Sequence, residues 1–221
     1  MKYIQKSEPP PDFIDWKNLV NQDWQPNWAN FQKPQKTSVH KSLLKEQGFI
    51  CCYCGRRITL ADSHIEHFKP RNKYPDLQLD YVNLIASCEI DTSEPPPIPV
   101  HCGHKKGAWY KEDLMVSPVE SDCADFFCYT EDGQILATKE VTRQKAAKTT
   151  IEKLELNINK LRKMRGAAIA GILDDIELLT DRELKKLIAT FEKPSKNGQY
   201  EEFCHVIIYV LKQYLESKSP K

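Results

Sequence analysis

Cys51-Cys52-Tyr53-Cys54-Gly55-Arg56-Arg57-Ile58-Thr59-Leu60-Ala61-Asp62-Ser63-His64-Ile65-Glu66-His67-Phe68-Lys69-Pro70 is the stretch on which the fold turns. It opens with a Cys-x-x-Cys knuckle. Two thiolates on such a turn both reach one zinc ion at about 2.3 Å, and Gly55 relieves the turn. A second pair must close the tetrahedron. Cys88 and Cys102 are the candidates, with His101 and His104 competing as fourth ligand. Cys52, between the first pair, should point away. Alone, a four-cysteine set of this kind supports only a zinc-stapled fold without catalysis.

The second half of the stretch adds a different chemistry. In a strand, His64 and Glu66 share one face and Ile65 and His67 the other. Glu66 beside His67 sets a hard oxygen ligand next to a titratable base; magnesium takes oxygen ligands and histidine exchanges its proton near neutral pH. A zincin helix needs His-x-x-x-His, whereas the spacing here is His-x-x-His, and Pro70 opposes a long helix. His67 reads as functional and His64 as a buried, hydrogen-bonded structural residue.

Composition sets the outer bounds. The chain has 221 residues, 32 Lys plus Arg against 31 Asp plus Glu, and a formal net charge of +1. A uniformly basic nucleic-acid-coating protein is excluded, so any such contact needs a local patch. The longest apolar run, Val206 to Leu211, is far short of the about 20 residues of a membrane span. No secretion signal is read, and the expected location is cytoplasmic. In that reducing compartment eight cysteines argue for metal or catalysis before disulfides.

Three regions read differently, and the fold class expected is α+β. Residues 1–35 carry Pro9-Pro10-Pro11, Pro26, Pro34, Trp16, Trp24 and Trp28, and read as an irregular arm whose aromatics pack onto the rest. Residues 36–137 form the mixed region. A short helix from Val39 to about Gln47, capped by Thr37 or Ser38, ends at Gly48. Pro95-Pro96-Pro97-Ile98-Pro99 reads as a stiff loop. Glu131-Asp132-Gly133 reads as the turn of a hairpin between Phe126–Thr130 and Gln134–Leu136. Residues 138–221 read as helices for packing and partner docking. Ala147, Ile151, Leu154, Ile158 and Leu161 mark one long helix, Ile169 to Ile176 a second after Gly166, Thr180 to Glu183 a capping box for a third, and Phe203 to Tyr214 a fourth.

Beyond His67 come Asn83-Leu84 and then Cys102-Gly103-His104-Lys105-Lys106-Gly107. A cysteine quartet laced with Glu66-His67, Asn83 and a last histidine resembles the zinc-containing HNH nucleases over about residues 49–110. The opening Met1-Lys2-Tyr3-Ile4-Gln5-Lys6, the His64–Pro70 string, and Leu154-Glu155-Leu156-Asn157 with Leu161 and Arg165 look like the PtuB-like HNH components of Septu-type and retron-associated anti-phage defence.

That resemblance implies a zinc-stapled ββα-metal core. It makes His67 the general base, Glu66 and His104 the ligands of a catalytic Mg2+ or Mn2+, and Asn83 the residue that orients the base through the backbone around it. It gives Cys51, Cys54, Cys88 and Cys102 a structural Zn2+, and Lys69, Arg71, Lys73, Lys105 and Lys106 the nucleic acid backbone. A PtuA-like ATPase is the implied partner, with a retron RNA/DNA and reverse transcriptase in the retron setting. Two departures stand out. The last Asn or His normally follows the final cysteine directly, where this chain has Gly103, and the gap from Cys88 to Cys102 is stretched. The competing reading is a non-catalytic zinc-stapled module that binds nucleic acid or protein.

Overall fold

The computed structural model describes residues 1–88, 99–174 and 176–218. Of the proline-rich stretch expected as a stiff loop, all but Pro99 lies outside the described residues.

The centre is a two-stranded antiparallel sheet. β1 (Ser63–His67) pairs with β2 (Leu84–Cys88) in the register His64 with Ser87 and Glu66 with Ile85. Every residue of β2 is buried, as its apolar sequence requires. α2 (Gln35–Glu46) lies against both strands through Val39, Leu43 and Leu44. Burying such side chains contributes about 1.5–3 kcal/mol each. The buried Gln47 then extends the sheet edge: its amide donates to Ala86 O at 2.9 Å and accepts from Ala86 N at 2.7 Å. α3 (Cys102–Lys106), one short helix, closes over the strands. Two strands and a helix are thus assembled around Glu66.

Within the arm, read as irregular, α1 (Pro11–Lys17) is one short helix. Pro11 sits at its first position, where a missing N–H costs nothing. Phe13, Trp16 and Phe31 are buried in a ring cluster, so the arm's aromatics pack as expected. α2 begins four residues earlier than read, at Gln35 after Pro34. Ser38 lies inside the helix and its hydroxyl holds Asp12 of α1. Gly48, at φ +59°, ends it.

β3 (Phe127–Tyr129) and β4 (Ile135–Ala137) form the second antiparallel pair, turned by Gly133 at φ +82°. The single long helix expected through Leu161 is broken into α4 (Val141–Lys153) and α5 (Asn159–Leu173). Periodicity misled here because residues 154–158 have other obligations. Leu154 O accepts the Cys102 N–H at 2.8 Å, Glu155 sits at φ +50°, and the Asn157 amide pairs with both backbone groups of Ile135. Nor does Gly166 start a helix. It lies inside α5, where Asp132 O approaches within 3.2 Å of where a Cβ would be. The buried Arg165 completes this junction, donating to Gly133 O at 2.7 Å and Leu156 O at 2.9 Å. α6 (Asp181–Phe191) opens on the expected Thr180–Glu183 capping box, and α7 (Cys204–Lys218) buries Val206, Ile207 and Leu211. The largest apolar cluster draws on all three regions of the chain, from Met1 through Leu84 to Val206.

Candidate active site

Cys51, Cys54, Cys88 and Cys102 are brought together. Their four sulfurs all lie within 4.8 Å of one another, and Cys54 Sγ is 3.9 Å from Cys88 Sγ. A tetrahedron with Zn–S of about 2.3 Å has edges of about 3.8 Å, so the donor set fits zinc. All four are buried free thiols. Burial raises the Cys51 thiol, but hydrogen bonds from Cys102, Cys52, Cys54 and Cys88 outweigh it and hold Cys51 well below the usual thiol range. Cys102 is pushed the other way, well above that range, by burial and by the neighbouring sulfurs, and Cys88 also lies above it, so without metal Cys51 is the thiolate among thiols. The Cys88 N–H points at Cys51 Sγ at 3.4 Å. His101 stands outside the quartet, its Nδ1 3.2 Å from Cys102 Sγ and 3.7 Å from Cys88 Sγ, a neighbour of the thiolates in the manner of an outer-shell partner. His104 is exposed and is not part of this group.

On β1, Glu66 is buried and its two oxygens are distinct. Oε1 takes the Lys106 ammonium at 2.7 Å. Oε2 faces His64 Nε2 at 3.5 Å. Lys106 also donates to His67 O at 2.9 Å and is 2% exposed. This corrects the expectation for Lys106: it is a buried countercharge to Glu66 and does not face a nucleic acid backbone. A buried lysine persists only when paired, and here the ion pair and a carbonyl both take it.

His67 points the other way. Its Nε2 is 3.0 Å from Gln78 O. A carbonyl only accepts, so Nε2 carries the proton and the lone pair rests on Nδ1. The ring meets Trp28 of the arm edge-on, centroids 4.3 Å apart. Burial moves the His67 pKa below 6.5, against the raising effects of the Gln78 carbonyl and Glu66 and with those of Arg71 and Lys106. The imidazole is therefore neutral at neutral pH.

Asn83 ties the loop that carries Gln78. Its Oδ1 accepts from Lys69 N at 2.7 Å, and its Nδ2 donates to Lys69 O at 3.0 Å and Leu77 O at 3.1 Å. Asn83 thus closes residues 69–83 and sets the carbonyl against which His67 leans. Glu66, His67, Pro70, Arg71, Asn72, Gly107 and Ala108 line an open cleft of about 320 Å3.

The cations are placed as follows. Arg71 and Lys73 are exposed beside the cleft, Arg71 over the Trp28 ring at 5.6 Å. Lys69 pairs with Glu112 at 3.5 Å, and the exposed Lys105 pairs with Glu155 at 3.2 Å. Residues 139–165 carry nine basic and three acidic residues, but Arg143 is engaged by Asp122 and Asp125, Arg162 by Asp132, and Arg165 is buried, which leaves a thinner basic track. α3 is too short to serve as an anion site, and the Gly103 N–H is already spent on Ser87 Oγ at 3.1 Å.

Two residues near the chemistry escaped the sequence reading. His64, read as a buried structural residue, is only partly buried, and its ring lies against that of His104, centroids 4.3 Å apart, and beside Glu66. The alternation of the strand carried that signal. Trp28 comes from the arm, with no local signal for a contact to His67.

No family model matches the chain. Among curated proteins, it is 29% identical over 147 residues to a Vibrio cholerae (serotype O1 biovar El Tor) protein named "Retron Vc95 putative HNH endonuclease", covering 64% of this chain and 66% of that one. It is 25% identical over 164 residues to the Septu protein PtuB of Bacillus thuringiensis, covering 71% of this chain and 55% of PtuB. The chain thus spans just under two thirds and just over half of these relatives. The likeness to HNH, PtuB-like defence proteins implied by the motifs is borne out by both relatives, at modest identity.

Proposed function

We propose that this chain is a metal-dependent HNH nuclease that hydrolyses phosphodiester bonds in nucleic acid, DNA or RNA including tRNA, as the toxic effector of an anti-phage defence system. The names of its two relatives favour that setting, and a PtuA-like ATPase as partner. The observation that supports hydrolysis most is the His67 imidazole. It is held by Gln78 O in the tautomer that leaves Nδ1 basic, kept neutral by burial, and set beside a carboxylate in an open cleft. A zinc module without catalysis needs none of these.

In this reading His67 Nδ1 takes the proton of the attacking water. Asn83 holds the loop against which His67 is braced. Lys106 fixes the Glu66 carboxylate through Oε1, and Oε2 is the oxygen that would hold a divalent cation. A divalent ion, Mg2+ or Mn2+, when bound supplies neutralisation of the charge that builds on the phosphate. Arg71, Lys73 and Lys105 face the substrate backbone, with Lys69 nearby at the cleft edge. The zinc cluster holds Cys102 and so the start of α3.

The test is His67→Ala in the partner-bound protein, offered plasmid, single-stranded DNA and total RNA with magnesium or manganese. Cleavage should fall by about 10²–10⁴ or more, the usual loss of a general base, with fold and zinc content kept. If His67→Ala cuts as fast as the parent, the hydrolytic reading of this cleft is wrong.

A further inference from the structure

The place at which this chain departs from the HNH pattern is the place where its cation ligands converge. Gly103 stands where a ligating side chain would be expected. A Cβ there would lie 2.8 Å from His64 Nε2, 2.9 Å from Glu66 Oε2 and 3.0 Å from Ser87 Oγ. Carbon cannot approach nitrogen and oxygen so closely without displacing them, so a side chain at 103 would push the ends of His64, Glu66 and Ser87 aside. The point is instead ringed by one nitrogen and two oxygens. His64 Nε2 and Glu66 Oε2 are 3.5 Å apart. A hard cation with ligands at about 2.1 Å sets adjacent donors about 3 Å apart, so a small closure of two side chains brings both onto one ion.

We infer that His64, with Glu66, holds the divalent cation in the space that Gly103, lacking a Cβ, leaves open beside them, so that His64 from the strand takes the part the helix residue after the last cysteine would otherwise play. The inference rests on the nuclease reading above and deepens it. Three features support it. His64 and Glu66 project from the same face of β1, two residues apart, and so are aimed together by the pleat. Glu66 Oε1 is occupied by Lys106, which leaves Oε2 as the oxygen for an ion. His104 lies exposed against the His64 ring, where it buttresses the ligand instead of replacing it. Gly103 does not have a left-handed backbone, unlike Gly107 at φ +50°, so alanine there is strained only by what its methyl group meets.

The experiment is Mn2+ binding to the full-length, zinc-loaded chain, read by the electron paramagnetic resonance signal of free Mn2+, with zinc measured in the same samples. Wild type should bind one Mn2+. His64→Ala and His64→Gln should each weaken binding by more than the about 10–100-fold typical of an outer-shell partner. Gly103→Ala should do the same by filling the point, with zinc retained in all three. His104→Ala should weaken binding less than either His64 variant. If both His64 variants bind Mn2+ like wild type while Glu66→Ala does not, the inference is overturned and the nuclease reading stands. If His104→Ala abolishes binding and the His64 variants do not, the inference is likewise overturned. If wild type binds no Mn2+ at all, the inference and the cation-dependent reading fall together.

Discussion

Asn83→Ala is the perturbation that most directly probes how the base is held. Asn83 is 6% exposed and makes three hydrogen bonds, to Lys69 N, Lys69 O and Leu77 O. A typical intramolecular hydrogen bond contributes about 0.5–1.5 kcal/mol, and backbone groups left unpaired cost more than that. Three together give about 2–4 kcal/mol. For a chain of this size each kcal/mol moves the melting temperature by about 2–4 °C, so a drop of roughly 4–16 °C is expected. Activity should suffer further, because Gln78 O lies in the loop Asn83 closes and fixes the His67 tautomer. A loss within the about 10²–10⁴ range of a general base is expected. Asn83→Asp sharpens the test, since a carboxylate keeps the acceptor toward Lys69 N but faces two carbonyls with no proton to give. It should be at least as damaging as alanine. Thermal melts, zinc content and cleavage rates on the same preparations decide it. If both variants melt and cut like the parent, the loop does not position the base and this account of Asn83 is refuted.

Three more expectations can be measured. Elemental analysis of protein purified without added metal should find one zinc per chain, and Cys54→Ser should lose it together with soluble yield, because zinc binding is folding energy; a folded, metal-free parent chain would contradict the cysteine assignment. Lys106→Met leaves the buried Glu66 carboxylate without its countercharge and should cost about 3–5 kcal/mol, so an unchanged melt would show that the pair is not needed. The cleavage rate should rise with pH on a limb centred below 6.5, since burial lowers the His67 pKa from that value. The stability sign follows: the unfolded chain binds that proton more readily, so the contribution of His67 is complete above pH 6.5 and is lost as pH falls through the lowered pKa. An acid limb centred above 6.5 would refute the neutral base.

The parts of the fold that local chemistry dictates were legible in the sequence. The Cys51–Cys54 knuckle, the Asp132-Gly133 turn and the Thr180–Glu183 box each depend on residues a few positions apart, and each forms where its motif lies. What was not legible is decided by distant partners. The break between α4 and α5 follows from the Leu154 carbonyl being owed to Cys102 and the Asn157 amide to Ile135. Lys106 reads as a surface cation beside Lys105, and only the fold of α3 over β1 turns it inward onto Glu66. His64 reads as structural by residue type, while the face it shares with Glu66 follows from the alternation of the strand. The contact of Trp28 with His67 joins positions whose relation no periodicity reports.

Cys102 and Gly103 are consecutive residues, one closing the sulfur tetrahedron and the other giving its N–H to Ser87 beside Glu66. A zinc held by the four sulfurs would therefore also anchor the peptide beside Glu66. That anchor adds to the bonds of Cys102 N–H to Leu154 O and of Lys106 to Glu66, which hold the same short helix. Under the proposed nuclease reading, a chain starved of zinc would lack the anchor at Cys102 and would not cut.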